Sequence, residues 1–537
     1  MTSQGFQGAF RQSMAWLHTW SGLVLSLLLY FIFITGSFGY FNLEVDHWME
    51  PERPVPSDDR SSAELATVAM AYLQREYPDA ARYFVGLPTE RQTLLRVFAN
   101  LKEPGPDGKA FADAYLDPAT GNPVTVRDTG GGDALYEMHY SLHYMPYEVA
   151  IYVVGVGTLF MLLALVTGIV THKKIFVDFF TLRFGKGQRS WLDAHNVSSV
   201  LALPFMLMIT YSGLVFYTFE YSPGVLFLNM GIDEQAQDEL YAHIYPGFED
   251  IDAVGESAEL LPVANIIERA QQQWPNQPLR YVDLTHPGDK AAHYGVGAIT
   301  TDLSRGGTPL RFDAVTGAAI PVAATPVDAI FSDGILAMHE GRFADIRLRW
   351  LYFLSGLLGA AMVATGLVLW AKKRRTQLKK NAPVPRSLVF IERTNLGIIV
   401  GLPLGVAAYF WANRLLPLGL ENRAEWEMHC LFLVWAASFA HSGARELSRA
   451  WREQVALLAA LFALVPLLNA LTTDTGMLNA VLAGDWVRLV FDLTCLVFGI
   501  CSALVWRRLP VPVSAPVAGE APVDQAILAR AAGSAGG

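Results

Sequence analysis

The chain contains eight stretches of about 20 mostly apolar residues, and this feature constrains its fold more than any other. A helix needs about 20 such residues to cross the hydrocarbon core of a bilayer. Of the 537 residues, 52% are hydrophobic and only 17% are charged, a balance typical of membrane proteins. We therefore predict eight transmembrane helices, at residues 22–41, 149–171, 197–219, 350–371, 396–412, 425–443, 453–472 and 486–506.

Basic residues orient these helices, because clusters of Lys and Arg follow every second stretch. The clusters are Lys173, Lys174, Arg183, Lys186 and Arg189; Lys372, Lys373, Arg374, Arg375, Lys379 and Lys380; Arg445, Arg449 and Arg452; and Arg507 and Arg508. Cytoplasmic loops carry an excess of Lys and Arg, so we predict that these loops and both termini are cytoplasmic. Residues 42–148 and 220–348 then lie outside, in the periplasm of a Gram-negative cell.

Each outer segment has the pattern of a small α+β module. Apolar residues recur at helical spacing over 63–77 and again over 260–274. Strand-like runs follow in both segments, at 93–97, 112–116, 280–284 and 309–312. A D-x-x-T-G sequence typical of a hairpin turn closes each module, at 117–121 and 313–317.

The first four predicted helices form an internal repeat. In each copy a histidine precedes a Thr-Gly or Ser-Gly pair by 17 residues, and a Met-His pair precedes a second Thr-Gly pair. These positions are His18 with Thr35-Gly36, His195 with Ser212-Gly213, Met138-His139 with Thr167-Gly168, and Met338-His339 with Thr365-Gly366. Each copy therefore consists of a helix, an outer module and a second helix, whereas the last four predicted helices show no trace of this repeat.

These patterns predict a mainly α integral membrane protein with about eight transmembrane helices and two periplasmic α+β modules in an internal repeat. The predicted parts are a first transmembrane helix (1–41), an outer module (42–148), two transmembrane helices with a basic loop (149–219), a second outer module (220–348), a fourth transmembrane helix (349–375), a C-terminal four-helix region (376–508) and a disordered cytoplasmic tail (509–537).

Six histidines are predicted to lie at the two edges of the repeat helices. His18, His172 and His195 fall at the cytoplasmic edge, and His139, His143 and His339 fall at the outer edge. Ionisable groups at membrane depth are costly and mark functional sites, and haem iron in electron carriers commonly takes two histidines. Repeat symmetry pairs His18 with His195 and His139 with His339. His172 competes for the inner role and His143, one helical turn from His139, for the outer role.

Cationic side chains near each cluster are candidates to bind haem propionates. Arg342, Arg347 and Arg349 lie beside the outer cluster, against the usual distribution of basic residues, and are therefore informative. Near the inner cluster the cations are Arg11, Lys173, Lys174 and Arg189. Membrane topology alone accounts for this inner set. The predicted cofactor is haem b, with two groups per chain, held by the histidines and Arg349.

Other chemistries fit the sequence less well. The cysteines Cys430, Cys495 and Cys501 form no C-x-x-C or C-x-x-C-H motif, which disfavours disulfides, iron–sulfur clusters and c-type haem. The chain has no phosphate-binding glycine motif, and its net charge of -10 does not indicate nucleic-acid binding. An outer zinc or iron(III) site at His139 and His143, with Glu137 and Glu340 nearby, remains an alternative.

Several stretches resemble the PepSY-associated transmembrane family, also called iron-regulated membrane proteins. They are residues 16–22 (WLHTWSG), 142–144 (LHY), 167–175 (TGIVTHKKI), 187–196 (GQRSWLDAHN) and 365–370 (TGLVLW). The resemblance covers about residues 10–375 and implies an inner-membrane protein with PepSY-like periplasmic modules. It also implies a haem-containing ferric-siderophore reductase with two b haems in the four repeat helices. The C-terminal four-helix region departs from shorter members, and donor docking, a quinone site and simple packing are its alternative roles.

The expected function is electron transfer from a cytoplasmic or quinol donor to a periplasmic ferric siderophore or other iron chelate. His195 with His18 or His172 would hold the inner haem, and His339 with His139 or His143 the outer one. Tyr140, Tyr144 and Phe343 are candidates to line the substrate site. The alternatives are a non-redox permease for iron or its chelate, and a regulatory membrane protein whose modules bind a partner. Membrane lipid is the remaining expected partner.

Overall fold

The computed structural model of the chain describes residues 3–55, 60–104, 109–172, 177, 179, 181–221, 234–249, 251–299, 308–380 and 382–511. Within these residues the protein is mainly helical and contains one antiparallel sheet. Lys173, Lys174 and the predicted tail from residue 512 onward lie outside the described residues.

The described helices are, in chain order, α1 (Ser3–Val24), α2 (Ser26–Phe38), α3 (Asn42–Met49), α4 (Ser62–Glu76), α5 (Gly131–Ser141), α6 (Tyr147–Thr171), α7 (Gln188–Phe216), α8 (Thr218–Tyr221), α9 (Glu234–Ile244), α10 (Val263–Gln273), α11 (Val327–Glu340), α12 (Ile346–Thr376), α13 (Arg386–Leu396), α14 (Leu402–Leu415), α15 (Arg423–Ala444), α16 (Leu447–Ala463), α17 (Val465–Thr472), α18 (Met477–Ala483) and α19 (Trp486–Arg508). The strands are β1 (Arg82–Gly86), β2 (Leu95–Asn100), β3 (Phe111–Leu116), β4 (Leu279–Thr285), β5 (His293–Ala298), β6 (Leu310–Asp313) and β7 (Ala319–Ile320).

Among the described residues, six helical segments are long and apolar enough to cross a membrane. They are Ser26–Met49, Tyr147–Thr171, Gln188–Phe216, Ile346–Thr376, Arg386–Leu415 and Trp486–Arg508. A seventh arises if α16 and α17, which meet at a 43° bend, count as one span. The predicted number of eight is therefore not confirmed. Helix α15 covers the predicted stretch at 425–443, but it contains Glu425, Glu427 and His429 and is too polar to count as a membrane span.

The repeat helices surround the space in which the predicted histidines lie. Helix α1 packs along α6, α7 packs along α12, and α2 packs against α12 and α5. Each outer segment connects the end of one long helix to the start of the next, so the sheet lies at one end of this bundle. We call that end the sheet side. The end at which α6 and α12 finish, followed by basic residues, is the basic side.

The two outer segments form one sheet instead of two separate modules. Its strand order is β3-β2-β1-β4-β5-β6-β7, and β1 of the first segment pairs with β4 of the second, with Val85 opposite Val282. Helices α4 and α10 pack together on one face of the sheet, where Leu73 and Ile267 join the same hydrophobic core as these two valines. An unpaired edge strand exposes a row of backbone donors and acceptors. Pairing β1 with β4 covers one edge of each predicted module.

The local sequence signals of the outer segments agree with the sheet at most positions. The predicted strands coincide with β2, β3, β4 and β6, and the predicted helices coincide with α4 and α10. The predicted turns share one geometry, in which the Asp117 and Asp313 carboxylates accept hydrogen bonds from the Thr hydroxyl three residues later. Strands β1, β5 and β7 were not predicted from the sequence. Strand β7 has only two residues, and β5 contains glycines, which weaken a strand pattern.

The pairing of β1 with β4 predicts that a disulfide can link the two outer segments. Gly86 and Tyr281 are directly opposite each other, and cysteines on neighbouring strands about 4.8 Å apart satisfy disulfide geometry. We expect Gly86→Cys with Tyr281→Cys to form an oxidised species of altered mobility on non-reducing electrophoresis. The control is Gly86→Cys with Tyr115→Cys, two strands apart, which should not cross-link. Equal cross-linking in both pairs would contradict the single sheet.

Candidate functional site

The first candidate site is a histidine pair on the sheet side. His139 lies on α5 and His339 on α11, the short helices that precede α6 and α12. Their ring centres are 6.4 Å apart and the ring planes differ by only 21°. The structure therefore brings together the two histidines that repeat symmetry paired. We call them the outer pair.

The second candidate site is a histidine pair on the basic side. His18 lies on α1 and His195 near the beginning of α7, and their ring centres are 6.3 Å apart with a 59° angle between the planes. Both rings lie beside the last turns of long helices, His18 beside Gly168 of α6 and His195 beside Gly366 of α12. We call them the inner pair.

The separation within each pair matches two imidazoles that bind one metal ion from opposite sides. A ligating imidazole nitrogen lies about 2.0 Å from its metal and about 1.1 Å from its own ring centre. Two rings in line on opposite sides of a metal therefore have centres about 6.2 Å apart. The observed distances of 6.3 and 6.4 Å agree with this value. The donor set is that of a bis-histidine haem.

Hydrogen bonds fix the tautomer of all four rings. The Nδ1 atoms of His18 and His195 lie 2.8 and 2.9 Å from the carbonyl oxygens of Ala164 and Met362. Nδ1 of His139 bonds the carbonyl of Tyr136, and Nδ1 of His339 lies 2.9 Å from the Ser212 hydroxyl, which donates its own hydrogen to the carbonyl of Met208 (2.7 Å). A carbonyl only accepts, and the Ser212 hydroxyl gives its hydrogen to Met208, so each Nδ1 carries the proton. Each Nε2 then keeps its lone pair, and among the described residues no hydrogen bond reaches it.

The glycines of the four Thr-Gly or Ser-Gly pairs make room for these rings. A Cβ added at Gly168 would lie 3.1 Å from the Cε1 atom of His18. The same distance is 3.1 Å from Gly213 to His339 and 3.2 Å from Gly366 to His195. At Gly36 the nearest atom of His139 would be 3.5 Å away, an ordinary contact. For His18 and His195, the carbonyl that accepts from Nδ1 comes four residues before the glycine. Each repeated motif therefore leaves space beside its glycine for one imidazole ring, and we call this space a glycine seat.

Burial keeps the outer pair neutral. Desolvation lowers the pKa of His139 and of His339 below the usual histidine value, so both rings are uncharged at neutral pH. Burial also raises the pKa of the neighbouring Tyr136 to about 12, which keeps its hydroxyl protonated. The neutral imidazole is the form that binds a metal.

A cavity of about 510 Å³ encloses the outer pair. This volume is within the range of about 300–1,000 Å³ that is typical of cofactor sites. Its walls include apolar residues of four long helices and several tyrosines. These lining residues include Leu29, Ile32, Phe33, Val154, Met161, Phe205, Phe216, Tyr136, Tyr140, Tyr147, Tyr217 and Tyr221. An apolar chamber with a few polar groups suits a planar apolar ring with charged substituents at one edge.

Arginines line the same cavity, and two of them share one acidic partner. Arg349 and Arg91 both pair with the single carboxylate of Glu44, and Arg349 is 9% exposed. Two guanidinium groups that share one carboxylate retain one positive charge for an anionic group. Arg342 also lines the cavity but pairs with both Asp333 and Glu340. Arg347 is exposed and pairs with Asp345, so it contributes nothing to this cavity.

His143 does not join the outer pair, although a continuous helix would place it on the same face as His139. Helix α5 ends at Ser141, and Leu142 adopts a left-handed conformation with φ of 51°. The chain therefore turns away, and the His143 ring stacks on Phe432 while its Nε2 lies 3.1 Å from a Glu425 oxygen. The adjacent Tyr144 donates its hydroxyl hydrogen to Nδ1 of His429, 2.6 Å away, if that nitrogen is unprotonated.

His172 lies next to the inner pair at the end of α6. Its Nε2 is 3.1 Å from the side-chain nitrogen of Asn196, the residue after His195. Arg11 donates a hydrogen bond to the carbonyl of Thr171 (2.8 Å), so it caps the last turn of α6. Among the described residues no group of three or more His, Cys, Asp or Glu side chains converges on a metal position. The alternative zinc or iron(III) site at His139 and His143 therefore has no geometric support.

Two features of the site were not predicted from sequence. Arg91 and Glu44 reach the outer cavity from the loop between β1 and β2 and from α3. No motif marks either residue, because only the folded sheet brings that loop to the bundle. The glycine seats were visible as repeated Thr-Gly pairs, but their spacing identified a repeat and not a contact.

The fold and the site define a multi-pass membrane protein with a histidine pair at each end of one helical repeat. A family model described as the PepSY-associated TM region matches residues 15–373. The chain belongs to this family, as its motifs indicated. The match includes both histidine pairs and the sheet, and ends in the last turns of α12. No curated protein matches the chain.

The glycine seats predict graded effects of adding one methyl group. With each pair as axial ligands of a haem, Gly168→Ala, Gly213→Ala and Gly366→Ala should displace the adjacent ring by a few tenths of an ångström. Disturbing the orientation of a ligand typically costs about 10–100-fold in metal affinity, and we expect the lower end of that range. Gly36→Ala is the matched control and should retain haem like the wild type. Haem per chain during dilution in detergent measures the effect, and a loss confined to Gly36→Ala would contradict the assignment.

Proposed function

We propose that this protein binds two b haems and transfers electrons across the membrane to an iron(III) chelate. The observation that carries the proposal is that two symmetry-related histidine pairs have ring separations of 6.3 and 6.4 Å, with every Nδ1 bonded to the protein. Nothing in a simple interfacial role requires four histidine rings to lie in two close pairs. The positive-inside distribution of Lys and Arg supports an inner-membrane protein with the sheet in the periplasm.

The residues fit the two cofactors in donor chemistry and in shape. A bound haem supplies one-electron exchange between iron(III) and iron(II). His18 and His195 would hold the inner group, and His139 and His339 the outer group. Apolar side chains of the cavity suit the faces of the outer group, and the positive charge shared by Arg91 and Arg349 suits a propionate. Ligands held in one orientation favour rapid electron exchange, because little reorganisation accompanies the change of charge.

The two pairs are far enough apart to span most of a bilayer. His195 and the glycine seat of His339, Gly213, both lie on α7, about 27 Å apart at about 1.5 Å per residue. This distance approaches the hydrocarbon thickness of about 30 Å. One pair therefore lies near each membrane face, an arrangement suited to electron transfer from one face to the other.

The reaction oxidises a donor on the cytoplasmic side, a quinol or a reduced protein, and reduces iron(III) to iron(II) on the periplasmic side by one electron per iron. Hard oxygen ligands hold iron(II) less tightly than iron(III), so reduction releases the metal from its chelate. The arginines and tyrosines of the outer cavity, Tyr140 among them, support an anionic substrate above the outer pair.

The histidine pairs predict the haem content of single variants. We expect about two b haems per wild-type chain in the reduced-minus-oxidised visible spectrum and pyridine haemochrome assay. His195→Ala and His339→Ala should each lose about one haem, because each removes one of two axial ligands. His143→Ala is the matched control, because that ring contacts Glu425 and Phe432 and should leave two haems.

Reoxidation completes the test. The reduced wild-type protein should be reoxidised by a ferric chelate, and His339→Ala should lose this reaction. A wild-type chain that contains no haem after expression with adequate haem supply would overturn the proposal. The permease and regulatory alternatives would then have to account for the histidine pairs.

A further inference from the structure

The first turn of α5 is enclosed by buried polar side chains of the C-terminal helices. The hydroxyl of Tyr409 on α14 donates to the carbonyl of Gly131 (2.8 Å). The Glu427 carboxylate on α15 accepts from the Thr129 hydroxyl (2.6 Å) and from the backbone N–H of Gly130 (3.3 Å). Tyr409 and Glu427 are completely buried. Two helices outside the repeat therefore hold a turn that belongs to it.

Further buried groups surround this contact. The Asn413 amide donates to the Thr129 hydroxyl (3.0 Å) and to Glu427 (2.9 Å). Arg423 pairs with Glu427 and donates to the carbonyl of Asp128 (2.9 Å). Asn413 and Arg423 are also completely buried. A buried charge needs partners, and the Glu427 carboxylate accepts hydrogen bonds from Thr129, Gly130, Asn413 and Arg423, so these bonds hold the turn in one arrangement.

The turn has no room to move between its neighbours. A Cβ at Gly130 would lie 2.7 Å from the Tyr409 hydroxyl oxygen, and one at Gly131 would overlap the Asp46 carboxylate. Asp46, on α3, accepts from the N–H of Gly132 (2.7 Å). Gly131 has a φ of +61°, which other residues adopt only with strain. Side chains on both sides therefore fix where α5 begins.

The position of this turn determines the position of His139. His139 follows Gly131 on the same helix, about 12 Å along its axis at about 1.5 Å per residue. The Nδ1 bond of His139 goes to Tyr136 of α5 itself, whereas the other three rings bond a neighbouring helix. His139 therefore depends on the placement of its own helix more than the other three histidines do.

Among the described residues, the equivalent helix of the second copy, α11, makes no such contact with the C-terminal helices. The first residues of α11 are exposed, with Val327 82% and Phe331 71% accessible. Asp328 in that turn pairs with His243 at the surface. In the described part of the chain, no hydrogen bond joins α11 to the C-terminal helices. The contact is therefore specific to one of the two outer histidines.

We infer that Tyr409, Asn413 and Glu427 are positioning residues for the outer haem, and that holding α5 is a function of the C-terminal helices. They act through α5 on the orientation of His139. This inference rests on the proposed function, because the position of an axial ligand matters only when the pair binds haem.

The test compares two variants that each remove one hydroxyl. Tyr409→Phe removes the bond to Gly131, and Tyr30→Phe removes a bond of 2.9 Å from α2 to the carbonyl of Ile399. Both bonds join the repeat to the C-terminal region, but only the first reaches α5. Redox titration of the visible spectrum should show a shifted midpoint potential for one haem in Tyr409→Phe. The other haem should be unchanged, and Tyr30→Phe should match the wild type.

His339→Ala identifies which spectral component belongs to the outer haem, and paramagnetic resonance of that component reports the orientation of its axial rings. Glu427→Gln is a second positioning variant, and the inner haem signal is its internal control for folding. Unchanged outer potentials in both positioning variants would overturn the inference alone. Equal shifts of both haems, or a shift in Tyr30→Phe as large as that in Tyr409→Phe, would also overturn it. A haem-free wild type would overturn the proposed function itself.

Discussion

The architecture depends on how four imidazole rings are seated between helices that cross the membrane. A polar ring without a partner is costly in an apolar environment, and here each Nδ1 has one. The threonine or serine of each Thr-Gly or Ser-Gly pair bonds a carbonyl of its own helix, as Thr167 does with Leu163 and Thr365 with Ala361. The adjacent glycine then presents bare backbone to the ring. The motif therefore gives its own hydroxyl a hydrogen-bond acceptor and also leaves space for an imidazole ring.

Each copy of the repeat orients its own histidines, and only the association of the copies makes a pair. His18 rests on Gly168 and His139 on Gly36 in the first copy, and His195 and His339 rest on equivalent glycines in the second. Both pairs then form across the boundary between the copies. The pairing of β1 with β4 crosses the same boundary. A single copy would present oriented rings without partners, so the duplication is what creates the two candidate sites.

The parts predicted from sequence are those governed by depth and local pattern. Equal spacing along equivalent helices puts His18 level with His195, and His139 level with His339, so the pairs followed from the repeat alone. The left-handed Leu142 ends α5 and keeps His143 away from the outer pair. No sequence pattern predicted the end of α5, because two histidines spaced i, i+4 are typical of a continuous helix. The joined sheet and the approach of Arg91 are contacts between distant segments, which periodicity cannot reveal.

The two sites are related by symmetry within the repeat but differ in surroundings, and this difference matters for the proposed function. A carrier with two equivalent haems would have no intrinsic direction. Axial orientation, hydrogen bonding and burial tune the potential of a haem. The outer pair has a cavity with tyrosines and arginines, and one of its helices is held by residues outside the repeat. The inner pair is bonded to carbonyls of the repeat helices. The C-terminal helices thus contact one of two related sites, and in the proposed function this contact would let the potential of the outer haem differ from that of the inner one.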